Sequence, residues 1–119
     1  MNKTGVENPA ALDLMTFDPH TDSVVLVMTE MREWDGSDER LFQVQEKLNA
    51  YLSFALDGEM LETYPDAKGK RIVIQLGCSH EPDLKSLSFL KTLKMNLEKD
   101  QILFRVKLHH DDGNLNLIG

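Results

Sequence analysis

The sequence predicts an α/β fold of the two-layer sandwich kind, with elements in the order ββαβαβ, a mixed four-stranded sheet and two amphipathic helices. Three observations predict it. Val24-Val25-Leu26-Val27-Met28 is apolar at five consecutive positions, as in a strand covered on both faces. Residues 71–76 and 102–108 alternate apolar and polar side chains with the period of two that a strand requires. Two longer stretches, one from Leu41 and one from Leu87, repeat their apolar residues at helical spacing.

The first strand is read from the short apolar stretch of Leu12, Leu14 and Met15 to Phe17. Asp18-Pro19-His20-Thr21-Asp22 supplies turn residues before Ser23, so strands one and two form a hairpin. Asp35-Gly36-Ser37-Asp38-Glu39 offers the side-chain acceptors and negative charge that suit a helix start. In the helix that follows, Leu41, Val44, Leu48, Tyr51, Leu52, Ala55 and Leu56 share one arc, with Gln43, Glu46, Lys47, Ala50 and Ser53 away from it. On this phase, truncating Leu48 is costly and truncating Lys47 nearly neutral. Asp57-Gly58 ends the helix, because glycine takes the left-handed conformation without a Cβ clash. Met60 to Tyr64 is read as one more turn before Pro65.

Ile72, Ile74 and Leu76 face one side of the third strand, and a loop is expected over residues 77–82. Asp83 caps a second helix whose stripe is Leu87, Leu90, Leu93 and Leu97, with Phe89 at its edge. In the fourth strand, Ile102, Phe104, Val106 and Leu108 oppose Leu103, Arg105 and Lys107. Strand-helix-strand crossovers are right-handed and parallel, so strands two to four are expected parallel, with strand one antiparallel at an edge. Residues 1–11 are read as a loose lead-in and 12–110 as one domain. Residues 111–119 are read as a tail or an extra edge strand turning at Asp112-Gly113.

Composition narrows the function classes. With 119 residues, 41% hydrophobic and 28% charged, the chain has the size and balance of one globular domain. No apolar run reaches the roughly 18 residues of a membrane span, and residues 1–11 lack the apolar stretch of a signal peptide. The expectation is a cytoplasmic protein. The single cysteine, Cys78, excludes an intramolecular disulfide framework. A formal net charge of −7 repels a phosphate backbone, and Lys68, Lys70 and Arg71 read as a solvated turn, so no nucleic-acid partner is expected.

Open α/β sheets bind ligands beyond the carboxyl ends of their parallel strands. Those loops hold Glu30, Arg32, Glu33, Trp34 and Asp35, then Cys78, Ser79, His80 and Glu81, then His109, His110, Asp111 and Asp112. Cys78, His80 and one of His109 or His110 carry the donor types zinc favours, without a C-x-x-C or H-E-x-x-H spacing. Cys78 and His80 also make a thiol and a base, although a cysteine at the end of a strand is more simply a small buried apolar group. Trp34 either stacks on a ligand or staples the chain into the first helix. Gln45 falls inside the apolar arc with Asn49 one turn later, two amides that need partners or offer them to a ligand. Glycine-rich phosphate loops are absent, so no cofactor is assigned, nor any catalytic or metal-ligating residue.

The residues Val24 to Met28, Trp34-Asp35-Gly36, Gln45-Glu46-Lys47-Leu48-Asn49-Ala50-Tyr51-Leu52, Phe54 to Gly58 and Tyr64-Pro65 resemble a family of small uncharacterised bacterial proteins, a domain of unknown function, over about residues 12–108. The resemblance implies a bacterial cytoplasmic protein and carries no catalytic assignment. The layout also resembles that of anti-sigma-factor antagonist domains, which bind partner proteins and are switched by phosphorylation at a helix start. Their Asp-Ser-Ser-Gly site is replaced here by Ser79-His80-Glu81-Pro82-Asp83-Leu84-Lys85-Ser86.

The expected function is a non-enzymatic protein-interaction module. The competing class is a small hydrolase or metal-binding enzyme built on the strand-end cysteine and histidines. Two one-sided helices leave the second face of the apolar strand to be covered, so a homodimer is expected slightly ahead of a monomer, the tail being the other possible cover.

Overall fold

A strand that is apolar at every position needs neighbours on both edges and cover on its faces. In the computed structural model, which describes residues 14–109 and 115–118 and the side chains of 14–108, the strand at Ser23–Glu30 (β2) lies inside a five-stranded sheet. Its neighbours are β1 (Leu14–Asp18), antiparallel, and β3 (Arg71–Cys78), parallel. The strand at Leu103–His109 (β4) continues the parallel set, and Leu115–Ile118 (β5) adds an antiparallel edge. The ββαβαβ order and the mixed four-stranded sheet are as the sequence predicts, with β5 as a further strand. The lead-in at residues 1–11, Leu12, His110 and the turn at Asp112-Gly113 lie outside the described residues, as do the side chains of His109, Leu115, Leu117 and Ile118.

Two main helices cover the sheet, Asp38–Leu56 (α1) and Leu84–Glu98 (α3), with a short helix at Glu59–Thr63 (α2) after α1. Among the described residues no helix is long and apolar enough to cross a membrane. Spatial strand order follows chain order, so both crossovers step the same way across the sheet. Right-handed crossovers that step in one direction place both helices on one face.

The core forms on that face. Val24, Leu26 and Met28 of β2, Ile74, Leu76 and Cys78 of β3, and Phe104 and Val106 of β4 pack with Val44, Leu48, Tyr51, Leu90, Leu93 and Leu97. On the other face Val25 and Val73 are each only 3% exposed, and Arg105 Nε donates to Gln75 Oε1 at 2.9 Å between neighbouring strands.

Four local expectations are corrected. β3 runs two residues further than expected, so Gly77 and Cys78 are strand rather than loop, each paired in register with β4. Lys47 is completely buried, because its four-carbon stem packs as an apolar body; its Nζ lies 5.5 Å from the centre of the Tyr51 ring. Leu56, placed on the apolar arc by periodicity, is 59% exposed at the last position of α1, where the helix runs past the edge of its contact. In α3, the buried Ser86 stands at the start of the stripe, with Leu87 only half-buried.

Candidate functional site

The carboxyl end of the parallel strands holds the chemistry-bearing residues, and its two loops are tied together. Ser79 N–H donates to the Glu30 carbonyl at 3.1 Å, extending the β2–β3 ladder. Trp34 Nε1 donates to the His80 carbonyl at 3.1 Å, and its half-buried ring packs against the core. The Asp35 carboxylate accepts from Ser37 N–H, and Ser37 in turn caps α1 by accepting from Arg40 N–H. Gly36, at φ +69°, passes so close to the α3 cap that a Cβ there would lie 3.2 Å from Asp83 Oδ2. Asp83 accepts from Ser86 N–H and from the Ser86 hydroxyl, bonds that hold its carboxyl below the usual carboxylate range. Lys85 donates to Asp38 at 2.8 Å, joining the first turns of the two helices.

Beneath these loops lies a buried ionic group. Glu30 is 2% exposed; Arg32 reaches its Oε1 at 2.8 Å and Arg40 at 3.1 Å. Arg32 also donates to Gln43 Oε1 and Arg40 to the Glu33 carbonyl. A carboxylate engaged by two guanidinium groups is a structural cross-link, with its acceptor capacity turned inward. Sequence reading placed Glu30 and Arg32 at the strand end but missed Arg40 and Gln43, which sit on the polar side of α1 and meet Glu30 only through the tertiary fold.

Cys78 is fully buried, and its thiol is pushed up to about 12, first by burial and then by the nearby Glu30 charge, against a smaller opposing bond from Trp34. Buried and with its thiolate form disfavoured, the Cys78 sulfur is not presented to a substrate. His80 is exposed on the loop surface, and the contact its segment makes with Trp34 uses its backbone carbonyl rather than its ring. No group of three His, Cys, Asp or Glu side chains positioned to hold a metal occurs among the described residues. His109 takes the last position of β4, one residue beyond the Cys78–Leu108 pair. Gln45 donates to Asn49 at 3.1 Å, so the two amides satisfy one another along α1. Of the singled-out residues, Trp34, Cys78 and His80 thus meet at one end of the sheet, in a packed joint between loops.

The rule that points to the carboxyl end works where strand order reverses and adjacent loops diverge to open a crevice. Here the order runs β1 to β5 without reversal, and the loops converge. A concavity lies at the opposite end. A cavity of about 790 Å³ is bounded by Thr21 and Asp22 of the hairpin turn, the end of α1 at Leu56, the entry to β3 at residues 69–72, and the α3–β4 link at Glu98 and residues 100–103. Lys70 Nζ donates to Asp22 Oδ1 at 2.7 Å across one wall.

These features define a small α/β sandwich with a cavity at the amino end of the parallel strands. Residues 4–110 match the model of a family of unknown function, DUF6572, and the chain belongs to that family. No curated protein and no solved structure matches it.

Proposed function

We propose that the chain is a non-enzymatic protein-interaction module, and that it holds a segment of its partner in the cleft at the amino end of β3 and β4. The cleft itself carries this reading. At about 790 Å³ it lies within the roughly 300–1,000 Å³ of ligand sites, yet it is an open groove rather than an enclosed chamber. An open groove suits a chain that enters and leaves, whereas a small substrate needs enclosure on most of its surface. Leu56 and Leu103, 59% and 37% exposed, give its walls apolar contact area. The burial of Cys78 and the two guanidinium partners of Glu30 support the same reading against a hydrolase at the other end.

The test is site-specific photo-crosslinking in the producing cell. A photoreactive residue at Leu56 or Leu103 should give a discrete protein adduct, and one at Glu33 or Ser79 should not. Adducts from the loop positions alone would overturn the proposal.

A further inference from the structure

The helices account for one face of the sheet. α1, α3, Met60 of α2 and Ala67 beyond it pack with Val24, Leu26 and Met28, so none of the described helices lies over the opposite face. On that face the strand register sets Thr16, Val25, Val73 and Leu103 in one row across β1 to β4. The outer two are exposed, yet the inner two, Val25 and Val73, are each 3% exposed. Side chains in one row of a sheet stand beside each other and leave their tips open. Of the long side chains in the flanking rows, Arg105 is held at Gln75 Oε1 and Arg71 is itself exposed. A further layer over the two valines fits this pattern.

The family match and the sequence ahead of β1 say what that layer is. The match begins at residue 4, well ahead of β1 at Leu14, and stops at residue 110, short of β5 at Leu115. Residues 4–13 therefore belong with the sheet and helices in the unit the family shares. Their charge also complements the face. By register Arg71, Arg105 and Lys107 stand on it with Asp18 as their described counter-charge, while residues 4–13 bring Glu7 and Asp13 and no cation. Val6, Pro9, Ala10, Ala11 and Leu12 supply apolar contact. Pro9 has no N–H to give a ladder, which suits a segment lying across strands better than a sixth strand beside β1. Reach is ample: a stretch of this length spans up to about 35 Å, and β1 is about 14 Å from β4.

We infer that residues 4–13, which lie outside the described residues, fold back from β1 as a strap across this face and seat their apolar side chains on Val25 and Val73. The strap makes the domain three-layered at its centre and closes this face. It does not depend on what the cleft binds.

The experiment places a nitroxide on the full chain, at Asn8→Cys in one sample and at Thr4→Cys in another, with the buried Cys78 left in place, and reads methyl signals by NMR. Broadening by the label falls steeply with distance, and the helical layer lies about 10 Å behind the sheet. The Val25 and Val73 methyls should therefore be broadened strongly by the Asn8 label, and those of Leu48 and Leu90 far less. Val6→Asp combined with Leu12→Asp should unseat the strap, restoring the two valine signals and lowering Tm by about 3–6 °C. Unbroadened valines with both labels overturn the inference, and so does broadening spread evenly over the two sets of methyls. An unlabelled Val6→Asp, Leu12→Asp chain that keeps the wild-type Tm overturns it as well.

Discussion

Lys47 shows how one side chain can serve as core. Its stem is enclosed between α1 and the sheet, and its ammonium lies near the ring of Tyr51, whose hydroxyl donates to the Val27 carbonyl at 2.8 Å. Lys47→Ala should therefore cost about 2–4 kcal/mol, comparable with a leucine truncation and far from the near-neutral change expected of a solvated lysine. Lys47→Met, which keeps most of the stem, should cost less than half as much, and chemical denaturation of the two variants checks the order. Cys78 makes a second prediction. Its folded thiol is raised above the ordinary 9.0, so its contribution to stability is complete below about pH 9 and is lost as the pH rises towards 12. The difference in unfolding free energy between the wild type and Cys78→Ala should fall over that window. At pH 8, alkylation of the native protein should proceed only at the rate of opening.

At the scale of elements, stability concentrates where a helix start meets a loop. Gly36→Ala places a Cβ 3.2 Å from the Asp83 carboxylate at a backbone angle of φ +69°, and should cost about 1–2 kcal/mol, read as a lower thermal midpoint. Glu30→Ala leaves Arg40, whose side chain is 10% exposed, without its buried counter-charge, and should cost about 3–5 kcal/mol. Glu30→Ala combined with Arg40→Met should recover part of that loss; a double variant no better than the single one would show that the ion pair is not what Glu30 supplies. Asp83, held below its ordinary 3.8 by Ser86, supports α3 fully above that value, and this support is lost as the pH falls through and below it. The elements themselves were largely legible in the sequence, because burial on one face imposes periods of two and 3.6 that β4, β3 and α1 display. Lys47 was not, since a charge at the tip of a long stem reads as polar whatever the stem touches. Nor were Arg40 and Gln43, whose role depends on Glu30 coming to rest beneath α1.

At the scale of the molecule, strand order decides where a ligand can sit. Right-handed crossovers in one direction give one helical layer, converging loops at the carboxyl end, and a groove where α1 and α3 stop short of the strands they lead into. That groove gathers Thr21, Asp22, Leu56, residues 69–72, Glu98 and residues 100–103, segments with no common motif, so nothing local in the sequence announces it. Of the residues that looked chemical, Cys78 is buried and His80 lends only its backbone carbonyl to the joint that holds two loops together. The central claim is that this protein meets its partner at the amino end of the sheet. Hydrogen–deuterium exchange on the isolated complex tests it most directly. Partner binding should slow exchange at residues 21–22, 56–58, 69–72 and 98–103 and leave 31–37 and 79–83 unchanged; protection at 31–37 and 79–83, with the groove segments exchanging as in the free chain, would contradict it.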